Sequence, residues 1–198
     1  MVIKEEILHS AGANIKNYRP SESIFNEGDI PNFYYQIVSG EVKLNNYSEE
    51  GKEIIQTLLE DGQSIGESLL FIDKLYPMNA IAITECSVLK LSKPIFLNLL
   101  KLNPEICQDM NAFLAQRLYF RTVMTQNLYS QSPAFKLKNL MDYLKSFQDD
   151  KTPYTFTIPL TRQQMASLTG LCVETAIRTI KTMERNNLLK IKDRKILY

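Results

Sequence analysis

Between about Ser21 and Leu91, apolar and polar residues alternate with a period of two, in segments such as Gln36-Ile37-Val38 and Val42-Lys43-Leu44. A strand with one face against a core needs that alternation, because successive side chains leave the backbone on opposite sides. The turn-forming pairs Gly28-Asp29, Ser39-Gly40, Glu50-Gly51 and Asp61-Gly62 fall about 11 residues apart, a rhythm of short strands joined by tight turns. The pattern predicts an antiparallel jelly roll, whose interior fills with side chains or holds one small ligand. Beyond this turn rhythm there is no repeat and no low-complexity tract.

From Pro94 the period becomes helical. A short helix is expected over Lys93–Lys101, Asn103-Pro104 restarts the chain, and a longer helix should run from Pro104 to near Tyr129. Along it Ile106, Met110, Phe113, Arg117, Phe120 and Met124 step by four and three, the spacing of a coiled-coil seam, while Leu114, Leu118 and Val123 widen the apolar surface. The spacing suits a parallel homodimer; a helix buried within one chain is the alternative. Ser130-Gln131-Ser132-Pro133 reads as a hinge with Ser132 as N-cap and Pro133 at the first helical position. The expected domains are therefore residues 1–131 and 132–198. In the second, a helix over Phe135–Phe147 should turn Phe135, Leu137, Leu140, Met141 and Leu144 inward.

From Leu160 onward the chain has the outline of a winged helix-turn-helix. Thr155–Ile158 is expected as a strand. Thr161-Arg162-Gln163-Gln164 has capping-box spacing, Gly170 permits a left-handed turn, and a second helix is expected over Val173–Arg185. On that helix Glu174, Arg178 and Lys181 share one face and Ala176, Ile180 and Met183 the other. A carboxylate that accepts from a cytosine amino group and a guanidinium that forks onto guanine suit the major groove. Taken alone, a Glu and an Arg at this spacing also form an ordinary solvated surface pair. Leu188–Lys192 and Lys195–Tyr198 should pair as a wing, with Asp193-Arg194 at its tip reaching phosphates.

Charge shifts the balance between those readings. The stretch from Pro133 to Tyr198 carries 12 Lys or Arg against 6 Asp or Glu, whereas residues 1–132 carry 11 against 16. The formal net charge of +1 conceals this asymmetry. A basic C-terminal third is what phosphate neutralisation requires, and it confines DNA contact to the small domain. An apolar content of 44% with 23% charged residues is ordinary globular composition. With neither a signal-peptide pattern at the start nor an apolar run near the roughly 18 residues of a membrane span, a cytoplasmic protein without membrane contact is expected. Cys86, Cys107 and Cys172 are too scattered for a disulfide framework or a metal site. A single histidine and no paired acid, base or nucleophile cluster argue against an enzyme.

The motifs Ile24-Phe25-Asn26-Glu27-Gly28-Asp29, Phe33-Tyr34-Tyr35-Gln36-Ile37-Val38-Ser39-Gly40, Gly66-Glu67 before Leu70-Phe71, and Gly170-Leu171-Cys172-Val173-Glu174-Thr175-Ala176-Ile177-Arg178 together resemble the Crp/Fnr superfamily, that of the cyclic-AMP receptor protein and the fumarate-nitrate reductase regulator. The likeness covers nearly the whole chain. It implies an α+β protein: an N-terminal antiparallel β-roll of cyclic-nucleotide-binding type, a long dimerisation helix, and a C-terminal winged helix-turn-helix. It further implies a homodimeric transcription regulator on a near-palindromic operator, with RNA polymerase as a partner. Base readout falls to Glu174, Ile177 and Arg178, with backbone contacts from Thr161, Arg162, Gln163, Thr175, Lys181 and Arg194. An effector pocket would take Gly66, Glu67, Met78 and Asn79 with Arg121 and Thr122.

Two departures from the family pattern bear on the effector. In the cyclic-AMP branch a Gly-Glu pair holds the ribose and an Arg-Ser pair further on holds the cyclic phosphate; Gly66-Glu67 fits the first, but Met78-Asn79 stands in place of the second. Without a guanidinium a buried phosphate loses its charge-assisted partner, so control by cyclic AMP is not expected, and Glu67 alternatively serves the loop alone. The oxygen-sensing branch holds an iron–sulfur centre on N-terminal cysteines, and residues 1–85 contain none. Haem needs an axial ligand, and the single histidine, His9, is expected on the surface of a mobile N-terminal segment. No cofactor or metal is expected, and the effector is unknown or absent. Cys172 stands at the N-cap of the second helix, as a cap substitute or a redox-sensitive thiol. A ligand-sensing interaction module without DNA activity is the alternative function.

Overall fold

The computed structural model describes residues 2–51 and 53–198, the side chains of residues 126–128 excepted. The chain divides into two compact units, Met1–Ala115 and Gln116–Tyr198.

The first unit opens with α1 (Glu5–Ser10) and continues through β1 (Asn14–Tyr18), β2 (Ser23–Phe25), β3 (Phe33–Ser39), β4 (Val42–Tyr47), β5 (Glu53–Leu59) and β6 (Ser64–Ile65). A 3-10 turn over Glu67–Phe71 leads to β7 (Asn79–Ala82), β8 (Cys86–Ser92), α2 (Lys93–Leu102) and α3 (Pro104–Tyr129), which runs on into the second unit. The strands form two antiparallel four-stranded sheets, ordered β1-β8-β3-β6 and β2-β7-β4-β5, as period-two alternation requires. Side chains including Tyr18, Phe25, Tyr35, Ile37, Val42, Leu44, Tyr76, Met78 and Val88 form the buried interior.

β3 departs from simple alternation, because its outer face is covered as well. Tyr34 is fully buried and stacks on Phe96 of α2, ring centroids 4.4 Å apart. Leu89, Leu91, Leu100 and Met110 complete that second cluster. Ile3 and Leu8 join it too, so the N-terminal segment expected to be mobile is instead a packed helix. The buried Gln36 explains the anchoring: its amide donates to the Ile3 carbonyl at 2.7 Å and accepts from the Ile3 N–H at 3.1 Å and the Tyr34 hydroxyl at 2.8 Å. His9 itself is exposed.

The second unit takes the remainder of α3 with α4 (Pro133–Ser146), α5 (Arg162–Thr169), α6 (Val173–Arg185), β9 (Lys190–Lys192) and β10 (Lys195–Leu197). Its core gathers Leu137, Leu140 and Met141 of α4, Met165 and Ala166 of α5, Ala176, Ile180 and Met183 of α6, and Ile196 of β10. The C-terminal part of α3 belongs here because Phe120 and Met124 pack against this cluster and the Asn139 side-chain amide donates to the Val123 carbonyl at 3.0 Å. Ser132 caps α4 by accepting from the Phe135 N–H at 3.3 Å. Phe135, expected inward, is instead 45% exposed, since it sits in the first turn ahead of the packed face. The strand expected over Thr155–Ile158 is reduced to a single bridge between Thr157 and Leu197, flanked by backbone bonds from Phe156 to Tyr198 and from Ile158 to Ile196. A left-handed Tyr154 (φ 67°) and Pro159 leave no room for a longer ladder.

Candidate nucleic-acid interface

α5 and α6 are set by their ends. Thr161 accepts from the Gln164 N–H at 3.1 Å and the Gln164 side chain accepts from the Thr161 N–H at 2.8 Å, closing the capping box in both directions. At the other end Gly170 is left-handed (φ 69°), the Leu171 N–H reaches the Ala166 carbonyl at 2.9 Å and the Gly170 N–H that of Ser167 at 3.4 Å, the paired bonds of a Schellman motif. The buried Ala166 and Ala176 bring no bulk between α5 and α6. α6 is thus anchored by its back, through Ala176, Ile180 and Met183, each at most 2% exposed.

Its front is open. Glu174, Arg178 and Lys181 are exposed, Thr175 and Ile177 half-buried, and Cys172 is an exposed N-cap whose thiol makes no capping bond. Although Glu174 and Arg178 are one turn apart, no ion pair joins them among the described residues. Both charged groups therefore stand on the open face without neutralising one another. Thr161 and Gln163, at the start of α5, are exposed as well. Because Thr161 caps as an acceptor, its hydroxyl hydrogen remains free to donate.

The wing follows at once. β9 and β10 pair in the register Lys192↔Lys195 around a two-residue turn, with Asp193 at φ 50° and Arg194 at φ 63°, the signature of a type I′ hairpin. Two side-chain hydrogen bonds also bind it to the helices, neither legible in the sequence. Glu184 of α6 accepts from the Ile191 N–H at 3.0 Å, and the Arg162 guanidinium donates to the Arg194 carbonyl at 2.7 Å.

The residues expected around an effector are divided between the two units, Gly66, Glu67, Met78 and Asn79 in the first and Arg121 and Thr122 in the second. Gly66 is left-handed (φ 66°), and a Cβ there would lie 2.8 Å from Tyr76 and 2.9 Å from Phe25. These two rings, which the sequence reading missed, stack with centroids 3.6 Å apart and fill the space beside Gly66. Glu67 and Met78 are buried. Asn79 is occupied in joining strands and loops: its oxygen accepts from the Glu27 N–H at 3.0 Å and its amide donates to the Asn45 carbonyl at 3.3 Å. Arg121 and Thr122 lie on α3 within the other compact unit, Thr122 bonded to the Leu118 carbonyl at 2.9 Å. Burial, then the neighbouring Tyr35, Glu67 and Asp29, raise the Tyr76 hydroxyl far above its ordinary range, so it is a neutral donor. Among the described residues that hydroxyl has no partner.

Of the row read as a dimer seam, Met110 is buried and the other five residues are half-buried. Ile106, Met110 and Phe113 pack on the outer cluster of the roll, Met110 only 1% exposed, while Phe120 and Met124 pack in the second unit and Phe120 lies 4.7 Å from the Tyr143 ring. Arg117 is half-buried. Residues of this row thus contribute to the cores of both units. Among the described residues no helix is long and apolar enough to cross a membrane, and no three or more His, Cys, Asp or Glu side chains cluster to hold a metal ion.

A β-roll followed by a winged helix-turn-helix with an open, charged recognition helix defines a DNA-binding regulator. Residues 15–103 match the cyclic nucleotide-binding domain and residues 138–198 the Crp-like helix-turn-helix domain. The chain is 30% identical over 179 residues to the cAMP-activated global transcriptional regulator CRP of Haemophilus influenzae, spanning 89% of this chain and 80% of that protein. Among solved structures, the c-di-GMP responsive global regulator CLP of Xanthomonas campestris superposes with a TM-score of 0.75 at 20% identity, over 98% of both chains. A CooA mutant from Carboxydothermus hydrogenoformans reaches 0.81 at 16% identity, over 97% of this chain and 85% of that one. The chain belongs to the Crp/Fnr family: it is a DNA-binding transcription regulator, not an enzyme.

Proposed function

We propose that the protein acts in the cytoplasm as a homodimer on a near-palindromic operator, with Glu174 and Arg178 reading base edges and Ile177 meeting a thymine methyl. Thr161, Gln163, Thr175, Lys181 and Arg194 grip the flanking phosphates, and RNA polymerase is the further partner. The observation that carries this reading is the unbridged, exposed Glu174–Arg178 pair on a helix whose back is fully buried. Random-sequence selection followed by titration of the winning duplex tests it.

The surface for the second copy lies on α3 but not along Ile106 to Met124. Asn111, Ala115, Leu118, Thr122 and Thr125 step by four, three, four and three and are all exposed, Leu118 by 66%. Small residues with one leucine let two helices approach closely along such a row. Leu118→Glu is expected to yield a folded monomer in sedimentation and to lose the advantage of two half-sites over one. A variant that remains dimeric would place the interface elsewhere.

Cyclic AMP does not control this regulator, and no iron–sulfur centre does so either. The stacked Phe25–Tyr76 pair occupies the space beside Gly66, and Met78 and Asn79 offer no guanidinium for a phosphate. A ligand that binds the native state raises the unfolding midpoint by mass action. Millimolar cyclic AMP is therefore expected to leave both the midpoint and operator affinity unchanged; a rise in either would refute this reading.

A further inference from the structure

We infer that Arg162 is a positioning residue that locks the wing tip, rather than a phosphate contact in its own right. The inference rests on the DNA-binding reading of α5, α6 and the wing. Arg162 is the first residue of α5, one position after the cap, so the doubly closed Thr161–Gln164 box fixes its backbone. Its guanidinium crosses 32 residues of sequence to donate to the Arg194 carbonyl at 2.7 Å.

The recipient is the part of the hairpin with the greatest need of support. Both turn residues are left-handed, at φ 50° and 63°. Type I′ turns favour Asn-Gly or Asp-Gly. Asp193 suits its position, but Arg194 stands where glycine is preferred and carries the penalty of a Cβ in that region. Strands of three residues each cannot hold such a turn by themselves. The remaining ties lie away from the tip: Glu184 holds Ile191, and Ile196 is bonded to Ile158 and buried in the core.

Arg194 in place of glycine supplies a cation at the tip, beside the exposed Lys192 and Lys195. Arg162 makes that substitution tolerable: it satisfies the tip carbonyl and holds a turn that glycine would adopt unaided. A clamped turn presents its cations in one geometry, which spares the ordering cost at the moment of binding.

Arg162→Ala, Arg194→Gly and the double variant separate the two roles. As a positioning residue, Arg162→Ala weakens operator and random duplex alike by about tenfold. In the Arg194→Gly background, where the turn needs no clamp, it adds no further loss. A direct phosphate contact would instead give losses that multiply, and would overturn the inference. Amide hydrogen exchange on the DNA-free protein supplies a readout independent of DNA recognition: the N–H groups of Lys192 and Lys195 exchange faster in Arg162→Ala and recover in the double variant. Unchanged exchange in Arg162→Ala would equally overturn it, whereas a failure of the DNA reading alone would leave the exchange result intact.

Discussion

Arg178→Ala is expected to weaken binding to the selected operator by about 1 to 3 kcal/mol per half-site, roughly five- to 150-fold, with little change on random duplex. The expectation follows from geometry. Arg178 leaves the exposed front of α6, pairs with no carboxylate among the described residues, and sits one turn from Glu174 on a helix clamped by Ala176, Ile180 and Met183. Truncation therefore deletes a base-reading fork without disturbing the core. Fluorescence anisotropy on both duplexes at matched salt measures the difference, and salt has to be matched because phosphate contacts dominate both affinities. Equal losses on the two duplexes would mean that Arg178 touches phosphate and carries no sequence information.

Gly40→Ala should be the most damaging small substitution in the roll, costing about 3 kcal/mol or more. Gly40 is left-handed at φ 104°, and an added Cβ would lie 2.4 Å from the Glu85 carbonyl oxygen and 2.9 Å from the Cys86 Cα. Those neighbours are backbone and cannot rotate away. The turn is also bonded, with the Gly40 N–H donating to Asp61 at 2.7 Å. Gly28→Ala is the control: Gly28 is left-handed too, at φ 88°, but nothing lies within 4 Å of its added Cβ, so backbone strain of about 1 to 2 kcal/mol is all that applies. Urea unfolding of both variants isolates the close approach as the difference between them. Equal losses would show that the strands relax around the new methyl group.

The elements of this protein were legible where local chemistry decides them. The Thr161–Gln164 box, the Gly170 turn and the Asn103-Pro104 restart each require particular residues at fixed spacing, and the helices begin and end there. The apolar back of α6 was legible for the same reason, because its period selects one face. α3 was harder. Its apolar residues go round the helix, so spacing yields two candidate rows, and only tertiary packing decides that Met110 and Phe113 turn inward while Leu118 stays outside.

Contacts that use backbone acceptors left no signal at all. Nothing in the identity of Arg194 announces that its carbonyl receives Arg162, nor in Ile191 that its N–H is held by Glu184. The filled space beside Gly66 was equally hidden, since Phe25 and Tyr76 are 51 positions apart and meet only when β2 pairs with β7. The packed N-terminus could have been suspected from Ile3, Ile7 and Leu8, whose spacing marks one face of a short helix. Its anchor, the buried Gln36, could not.

Selection from a pool of random duplexes with the purified, ligand-free protein is the most direct test of whether the open face of α6 reads sequence. The expected result is enrichment of two half-sites related by a two-fold axis and centred about one helical turn apart, bound by the wild type with steep salt dependence and more weakly by Arg178→Ala. A pool that enriches nothing, or a winning site that Arg178→Ala binds as tightly as the wild type does, would contradict it.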